Sequence, residues 1–493
     1  MTKKIKIGII QNSPLTADFS NNLRQIVQGY RECLDHGADL IIASAYALCG
    51  ADPGDLANRD SFRNQTKAAL ECLSQELGNV PLLMGAYTDM PIFTPDNTDD
   101  DVLSDNDELY VETAAHGYIV PYLLEHDCVE ELFDAEVIDL DEFSVYIDTH
   151  DDGVEVEDAT ADLIVHLSDK SWYAGQAEDA EKTHRWEADT NGVPVVCVYN
   201  VGTSGDILYG GGSAVYSPGN ITQARLPFFE NAAKVVNTAG PATAKALPTE
   251  AELLCQAIKR GITDTVRNNG FTGVCLSMDH EQAPLLAALC TEALGASNVR
   301  AFTFRHNIAA AQALGIRCKE ADSAELVKKA AEAMEMEANH TMESRMRAAM
   351  ISTYADEHGL LPITSITRHD LMTGNFTLYG DAGAYLAPLG NLYEMDTHMM
   401  RVYLKEKNAT LFGTLEEPQH PEEDRIIHEL ADRNLSAGTL LFETVCPFTE
   451  TEVRKIQRGI IASAFKRALT PTVLRTDRPE ERLNIPTHHR LND

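Results

Sequence analysis

The sequence predicts an α/β protein of two domains, and three observations carry that expectation. The chain has 493 residues, more than one hydrophobic core usually organises. Apolar runs of strand length alternate with helical periodicity on both sides of residues 231–249. That stretch, rich in Ala, Thr, Pro and Lys, reads as a linker.

The first domain, 1–230, opens with the strand IKIGII at 5–10. An amphipathic helix at 20–36 leads to a buried strand within 38–50, and a helix near 61–78 precedes a third strand at 81–89. Residues 91–157 turn acidic, with DNTDDD at 96–101 and DTHDDGVEVED at 148–158, and read as solvated loops. Strand patterns return at 161–168, 193–202 and 211–218. The second domain, 250–467, starts with a helix at 251–269, the strand GVCLS, the apolar helix PLLAALCTEALG and a strand at 298–304. Helices follow near 307–314, 322–336 and 341–358, before a short strand at 360–366. Residues 468–493 read as a basic, irregular tail.

A formal net charge of −36 repels nucleic acid and anionic lipid, so neither is an expected partner. No apolar run reaches the ~20 residues of a membrane span, and MTKKIKIGII enters a strand without a signal cleavage site. A cytoplasmic location is expected. The ten cysteines form no C-x-x-C pair and read as reduced, mostly buried thiols.

Several segments carry more than periodicity. They are GADLIIASAYALCG, GVPVVCVYNVG, YGGGSAVYSPGN, GFTGVCLS, ESRMRAAMISTYADEHGLL and, most specific, GNFTLYGDAGAYLAPLGNLY. Together they resemble the glutamine-dependent NAD synthetases over nearly the whole chain. The resemblance implies an N-terminal nitrilase-like (carbon–nitrogen hydrolase) α-β-β-α sandwich. A doubly wound parallel-sheet ligase domain of the adenine nucleotide hydrolase-like class would follow. It implies a Glu–Lys–Cys triad freeing ammonia from glutamine, and a ligase that adenylates nicotinate adenine dinucleotide.

On that resemblance the amidase base, lysine and nucleophile positions hold Ala45, Pro121 and Asp148. Residues 68 to 169 contain neither lysine nor arginine, and no cysteine lies between Cys128 and Cys197. A thiolate nucleophile, its base and its oxyanion cation are all missing from the expected places. Asp148, His150, Asp151, Asp152 and His166 offer metal-ligand chemistry instead, although acidic loops are more often simply solvated.

The family's pyrophosphate loop, Ser-Gly-Gly-x-Asp-Ser, maps onto Met278, Asp279, His280, Glu281, Gln282 and Ala283. A phosphate nest needs glycine and tolerates no added negative charge, and this loop has no glycine and two acids. Asp370 stands at the metal-binding glutamate position, Arg368 at a lysine and Glu394 at a phosphate-contacting lysine. Arg345, Arg347, Gly374, Thr377, Gly380, Asp381 and Lys466 keep family identities, which leaves nucleotide binding as a candidate role. The plain reading of these residues is structural, with Asp381 capping a turn.

The expectation is an NAD synthetase-like pseudoenzyme. It would serve as a structural or regulatory subunit of a homo-oligomer, or of a hetero-oligomer with an active synthetase paralogue. No cofactor is expected; ATP, Mg²⁺ and nicotinate adenine dinucleotide enter only if activity or binding is retained. Two alternatives stand beside it: a glutamine- or ammonia-dependent NAD synthase working through substituted residues, and a non-catalytic dinucleotide sensor.

Overall fold

The computed structural model describes residues 4–88, 118–132, 136–149, 153, 161–304, 308–413, 415, 417–443 and 448–478. The chain divides into two compact units, Met1–Ser171 with Gly175–Ser204 and Tyr209–Leu247, and Trp172–Ala174 with Gly205–Leu208 and Pro248–Asp493.

The first unit is a two-sheet sandwich. Its strands are β1 (Lys6–Gln11), β2 (Leu40–Ala43), β3 (Leu82–Thr88), β4 (Tyr118–Glu125), β5 (Cys128–Glu131), β6 (Glu136–Leu140), β7 (Phe143–Asp148), β8 (Leu163–Leu167), β9 (Val195–Val198), β10 (Val201–Ser204), β11 (Ile207–Gly210), β12 (Ala214–Ser217), β13 (Ile221–Arg225) and β14 (Ala232–Asn237). One six-stranded sheet runs β14-β1-β2-β3-β4-β5 and the other β13-β12-β9-β8-β7-β6, while β10 and β11 pair as a separate two-stranded sheet. The central strands are parallel and buried on both faces, which explains their unbroken apolar runs. Helices α1 (Phe19–Asp35) and α2 (Asp60–Glu76) pack beside the first sheet. Asp18 caps α1 by accepting from the Asn21 amide at 3.3 Å. Close helix–strand approach requires Gly8, because a Cβ there would meet Cys33 Cβ at 2.7 Å. Helix α3 (Gln176–Asn191) lies against β9 and β12.

The second unit holds a parallel sheet, β17-β16-β15-β18, made of β15 (Gly273–Ser277), β16 (Val299–Thr303), β17 (Arg317–Glu320) and β18 (Leu360–Pro362). The chain leaves β15 for β16 on one side and returns to β18 on the other. Such a reversal opens a crevice beyond the carboxyl ends of the two strands, the usual binding place in open α/β sheets. Thr249 caps α4 (Glu250–Asn268), accepting from the Glu252 amide at 3.3 Å. The apolar helix α5 (Ala283–Leu294) is buried along most of its length, and Cys290 sits wholly within it. Later elements include α6 (Ala309–Ala313), α7 (Ala324–Ala333), α8 (His340–His358) and α9 (Arg368–Thr373).

The fold class agrees with the α/β expectation, and the differences are local. Residues 232–237, expected within the 231–249 linker, form β14 and pair antiparallel with β1, Lys6 opposite Asn237. An edge strand with one half-buried face shows too weak an alternation to stand out from a linker. Strands β4 to β7 occupy parts of a stretch expected to be acidic loop; Glu130, Glu131 and Asp139 face out, whereas Val145, Ile147 and Asp148 are buried. The expected tail contributes Thr472–Val473 as a strand paired with Leu386–Ala387, while residues 479–493 lie outside the described residues. Cys33, Cys49, Cys197, Cys255, Cys275 and Cys290 are buried, and Cys72 and Cys128 are exposed. Among the described residues no helix is long and apolar enough to cross a membrane.

Candidate functional site

The crevice at the ends of β15 and β18 is a cleft of about 280 Å³ lined by Ser277, Asp279, His280, Arg347, Asp370 and Asp381 among others. Its loop starts with Met278, fully buried, whose amide bonds to the Phe302 carbonyl at 2.7 Å. That anchor turns Asp279 toward β16. The Asp279 carboxylate accepts from Thr303 Oγ1 at 2.9 Å and from the Phe304 amide at 3.0 Å. Among the described residues Arg347 approaches it to 4.0 Å, bonded to Glu343 and stacked 5.1 Å over the Phe304 ring. The loop thus carries its own anion, already satisfied by local donors.

His280 accepts from the Gln282 amide through Nδ1 at 3.2 Å and places Nε2 3.6 Å from Asp370. Asp370 closes a capping box at the start of α9, accepting from the Thr367 amide at 2.9 Å and the Thr367 hydroxyl at 2.8 Å. Burial alone would raise its carboxyl, but the His280 and Thr367 contacts outweigh that and hold it below the usual carboxylate range. Glu281 is exposed and lies 3.9 Å from Arg401.

The residues that match the family have structural partners. Asp381 accepts from the Thr377 amide at 2.9 Å and from Ser344 Oγ at 2.8 Å, so it does cap the 377–381 turn. A Cβ on Gly380 would collide with Ser344, and Gly374 ends α9 in a left-handed conformation at φ 74°. Arg345 donates to the Leu378 carbonyl at 3.1 Å, and Lys466 to the Gly374 and Phe376 carbonyls at 2.6 and 2.7 Å. Arg368 is buried against Asp432, which also accepts from Tyr393 at 2.6 Å. Glu394 accepts from the Gln419 and His420 amides. Sequence reasoning did not single out His340, Ser344 and Asn375 in the cleft, although Ser344 and Asn375 fall within the segments ESRMRAAMISTYADEHGLL and GNFTLYGDAGAYLAPLGNLY.

In the first unit, Ala45 is fully buried just beyond β2, Pro121 lies buried on β4 opposite Gly85, and Asp148 ends β7. Asp148 faces a polar cluster that the sequence only half disclosed. His166, on β8, stands with Nδ1 2.9 Å from Asp148, close as an ion pair though misaligned as a hydrogen bond. Its Nε2 meets both Glu187 oxygens, at 2.8 and 3.0 Å, and His184 Nδ1 reaches Glu187 at 2.8 Å. Burial would discharge His166, yet Asp148 and Glu187 overcome it and push its pKa up to about 9. Glu187 moves down to about 2, since the two imidazoles outweigh its burial. Of the acidic-loop ligand set, Asp148 and His166 come together, whereas His150, Asp151 and Asp152 lie outside the described residues. His184 and Glu187 were legible only as an H-x-x-E spacing on α3.

A two-sheet sandwich followed in the chain by a parallel α/β sheet is an architecture shared with known two-domain proteins. Residues 254–469 match the family described as NAD synthase. The glutamine-dependent NAD(+) synthetase of Synechocystis sp. is 25% identical over 447 residues, 78% of either chain. Among solved structures, a glutamine-dependent NAD(+) synthetase from Cytophaga hutchinsonii superposes with a TM-score of 0.80 at 13% identity, covering 98% of both chains. That of Acinetobacter baumannii, solved with ADP, gives 0.71 at 16%, covering 95% of this chain and 94% of its own. At such identities the structural likeness is one of fold. Residues 254–469 thus belong to the NAD synthase family, and over most of its length the chain is similar to glutamine-dependent NAD(+) synthetases.

Proposed function

We propose that this chain is a non-catalytic member of the NAD synthetase family, lacking both glutaminase and ligase chemistry and acting as a structural or regulatory subunit. One observation supports the reading: Asp279, which the family resemblance sets at a phosphate-loop glycine, takes the Thr303 and Phe304 donors for itself. A polyphosphate brought there meets a fixed negative charge. At ~4 Å that repulsion is about 1 kcal/mol in water-like surroundings and about 4 kcal/mol near a protein surface. Among the described residues the neighbouring groups are engaged elsewhere. Arg347 is bonded to Glu343, and the Asp370 carboxylate is occupied by Thr367 and His280 rather than presented to a cation. The residues present therefore do not fit ATP with Mg²⁺. At the amidase positions, Ala45, Pro121 and Asp148 supply no thiolate, no base beside one and no oxyanion cation. Association with its own kind or with an active synthetase is the role left to the scaffold.

Family membership favours the second reading, an NAD synthase active through substituted residues, because the cleft persists where nucleotides bind in open α/β sheets. The purified chain, given ATP, Mg²⁺ and nicotinate adenine dinucleotide with either ammonia or glutamine, decides between them. No NAD above the enzyme-free control is expected. Turnover with ammonia would establish the second reading. Calorimetric binding of ATP or NAD without turnover would point to the dinucleotide sensor.

A further inference from the structure

The cluster beneath Asp148 has a donor set that the family reaction does not use. Among the described residues, His166, His184 and Glu187 form the one group whose ligand atoms lie close enough to hold a metal, all within 4.8 Å of one another. Each residue is at most 1% exposed. Two elements fix the arrangement: His166 projects from the central strand β8, and His184 and Glu187 sit one turn apart on α3. The rings of His166 and His184 tilt together at 4.9 Å, so both imidazoles converge on one carboxylate.

We propose that His166, His184 and Glu187 bind a divalent first-row cation of the zinc class. His166 Nε2, His184 Nδ1 and the two Glu187 oxygens supply four donors, the number a closed zinc site takes. Imidazole and carboxylate together suit zinc and its neighbours better than calcium or magnesium. The nitrogens now lie 2.8–3.0 Å from the Glu187 oxygens. A metal about 2.0–2.1 Å from each donor would replace these direct contacts, the three side chains shifting to admit it.

Asp148 stands behind His166, 2.9 Å from the other ring nitrogen. A carboxylate in that position orients a ligating histidine and strengthens it as a donor. Charge argues the same way. Asp148 and Glu187 are both nine-tenths buried or more, and buried carboxylates need a compensating cation close by. With two neutral rings the cluster carries two negative charges, which one divalent ion balances. This site is independent of whether the ligase works.

The test titrates the full chain, stripped with a chelator, with Co²⁺ and then Zn²⁺. The chain has 16 histidines, and His488 and His489 are adjacent in the tail, so the H488A/H489A double variant is the reference. One equivalent of Co²⁺ with the intense visible bands of a tetrahedral site, displaced by Zn²⁺ and kept in that reference, is expected. E187Q and H184A should weaken binding at least about a hundredfold, and D148N about ten- to hundredfold, as for loss of a metal's outer-sphere partner. Should those variants misfold, a Zn²⁺-induced rise in Tm of the reference protein, reversed by EDTA, supports the site by itself. No stoichiometric band and no Tm rise, or a band that survives E187Q, overturns it; the carboxylates are then balanced by ring protons.

Discussion

Asp279 stands out in the cleft of the second unit, because one carboxylate ties the loop after β15 to the end of β16. Its two close acceptor contacts are to the Thr303 hydroxyl and the Phe304 amide. Hydrogen bonds to a charged group contribute about 1.5–3 kcal/mol each, so Asp279→Ala should lower unfolding stability by about 2–4 kcal/mol, read from the urea midpoint. Unchanged stability would mean that the carboxylate does not hold the loop. Asp432 offers a pH test. Burial pushes its carboxyl up, but His428, Arg368 and Tyr393 together bring it below the usual range. A lowered folded value means that the contribution is present above the unfolded carboxylate value of about 3.9 and is lost as pH falls toward the folded one. Asp432→Asn should cost about 3–5 kcal/mol at neutral pH by stranding Arg368, and should flatten the acid limb of the stability curve. Equal acid sensitivity in both proteins would place the titrating group elsewhere.

At the scale of elements, α9 is short and depends on its ends. Thr367 and Asp370 satisfy each other's backbone amides, and Gly374 closes the helix. Thr367→Ala should cost about 1 kcal/mol through the lost cap, whereas Thr367→Ser should cost little; thermal unfolding separates the two. Strand β15 sets a sharper limit, because a Cβ on Gly273 would run into the Asn298 carbonyl at the turn into β16. Gly273→Ala should destabilise the second unit by about 1–3 kcal/mol through overpacking, visible in the urea midpoint. Legibility differed between elements for a physical reason. The strands β1, β2, β15 and β16 lie inside their sheets, and uninterrupted apolar runs announced them. Helix α3 escaped notice because its buried face is Gln176, Ala177, His184, Glu187 and Ala188, with no apolar stripe to count. Strands β5 and β6 escaped because they form sheet edges with charged outer faces.

For the whole molecule, the net charge of −36 works against compactness through self-repulsion. Raising salt from about 0.01 M to 0.15 M shortens the screening length from about 30 to 8 Å and should raise Tm. A Tm that falls with salt would show that favourable ion pairs outweigh that repulsion. The same sequence determined the two-part α/β plan, the family resemblance and the lack of lysine and arginine from 68 to 169. Composition, apolar period and residue identity are local properties that survive without coordinates. Only the tertiary structure decided what the replacements do. That Asp279 turns to β16, that Asp381 accepts from Ser344, that Asp148 meets His166 and that His166 meets Glu187 all depend on side chains brought together from separate elements. No spacing along the chain encodes those meetings, because sheet order and helix packing set them.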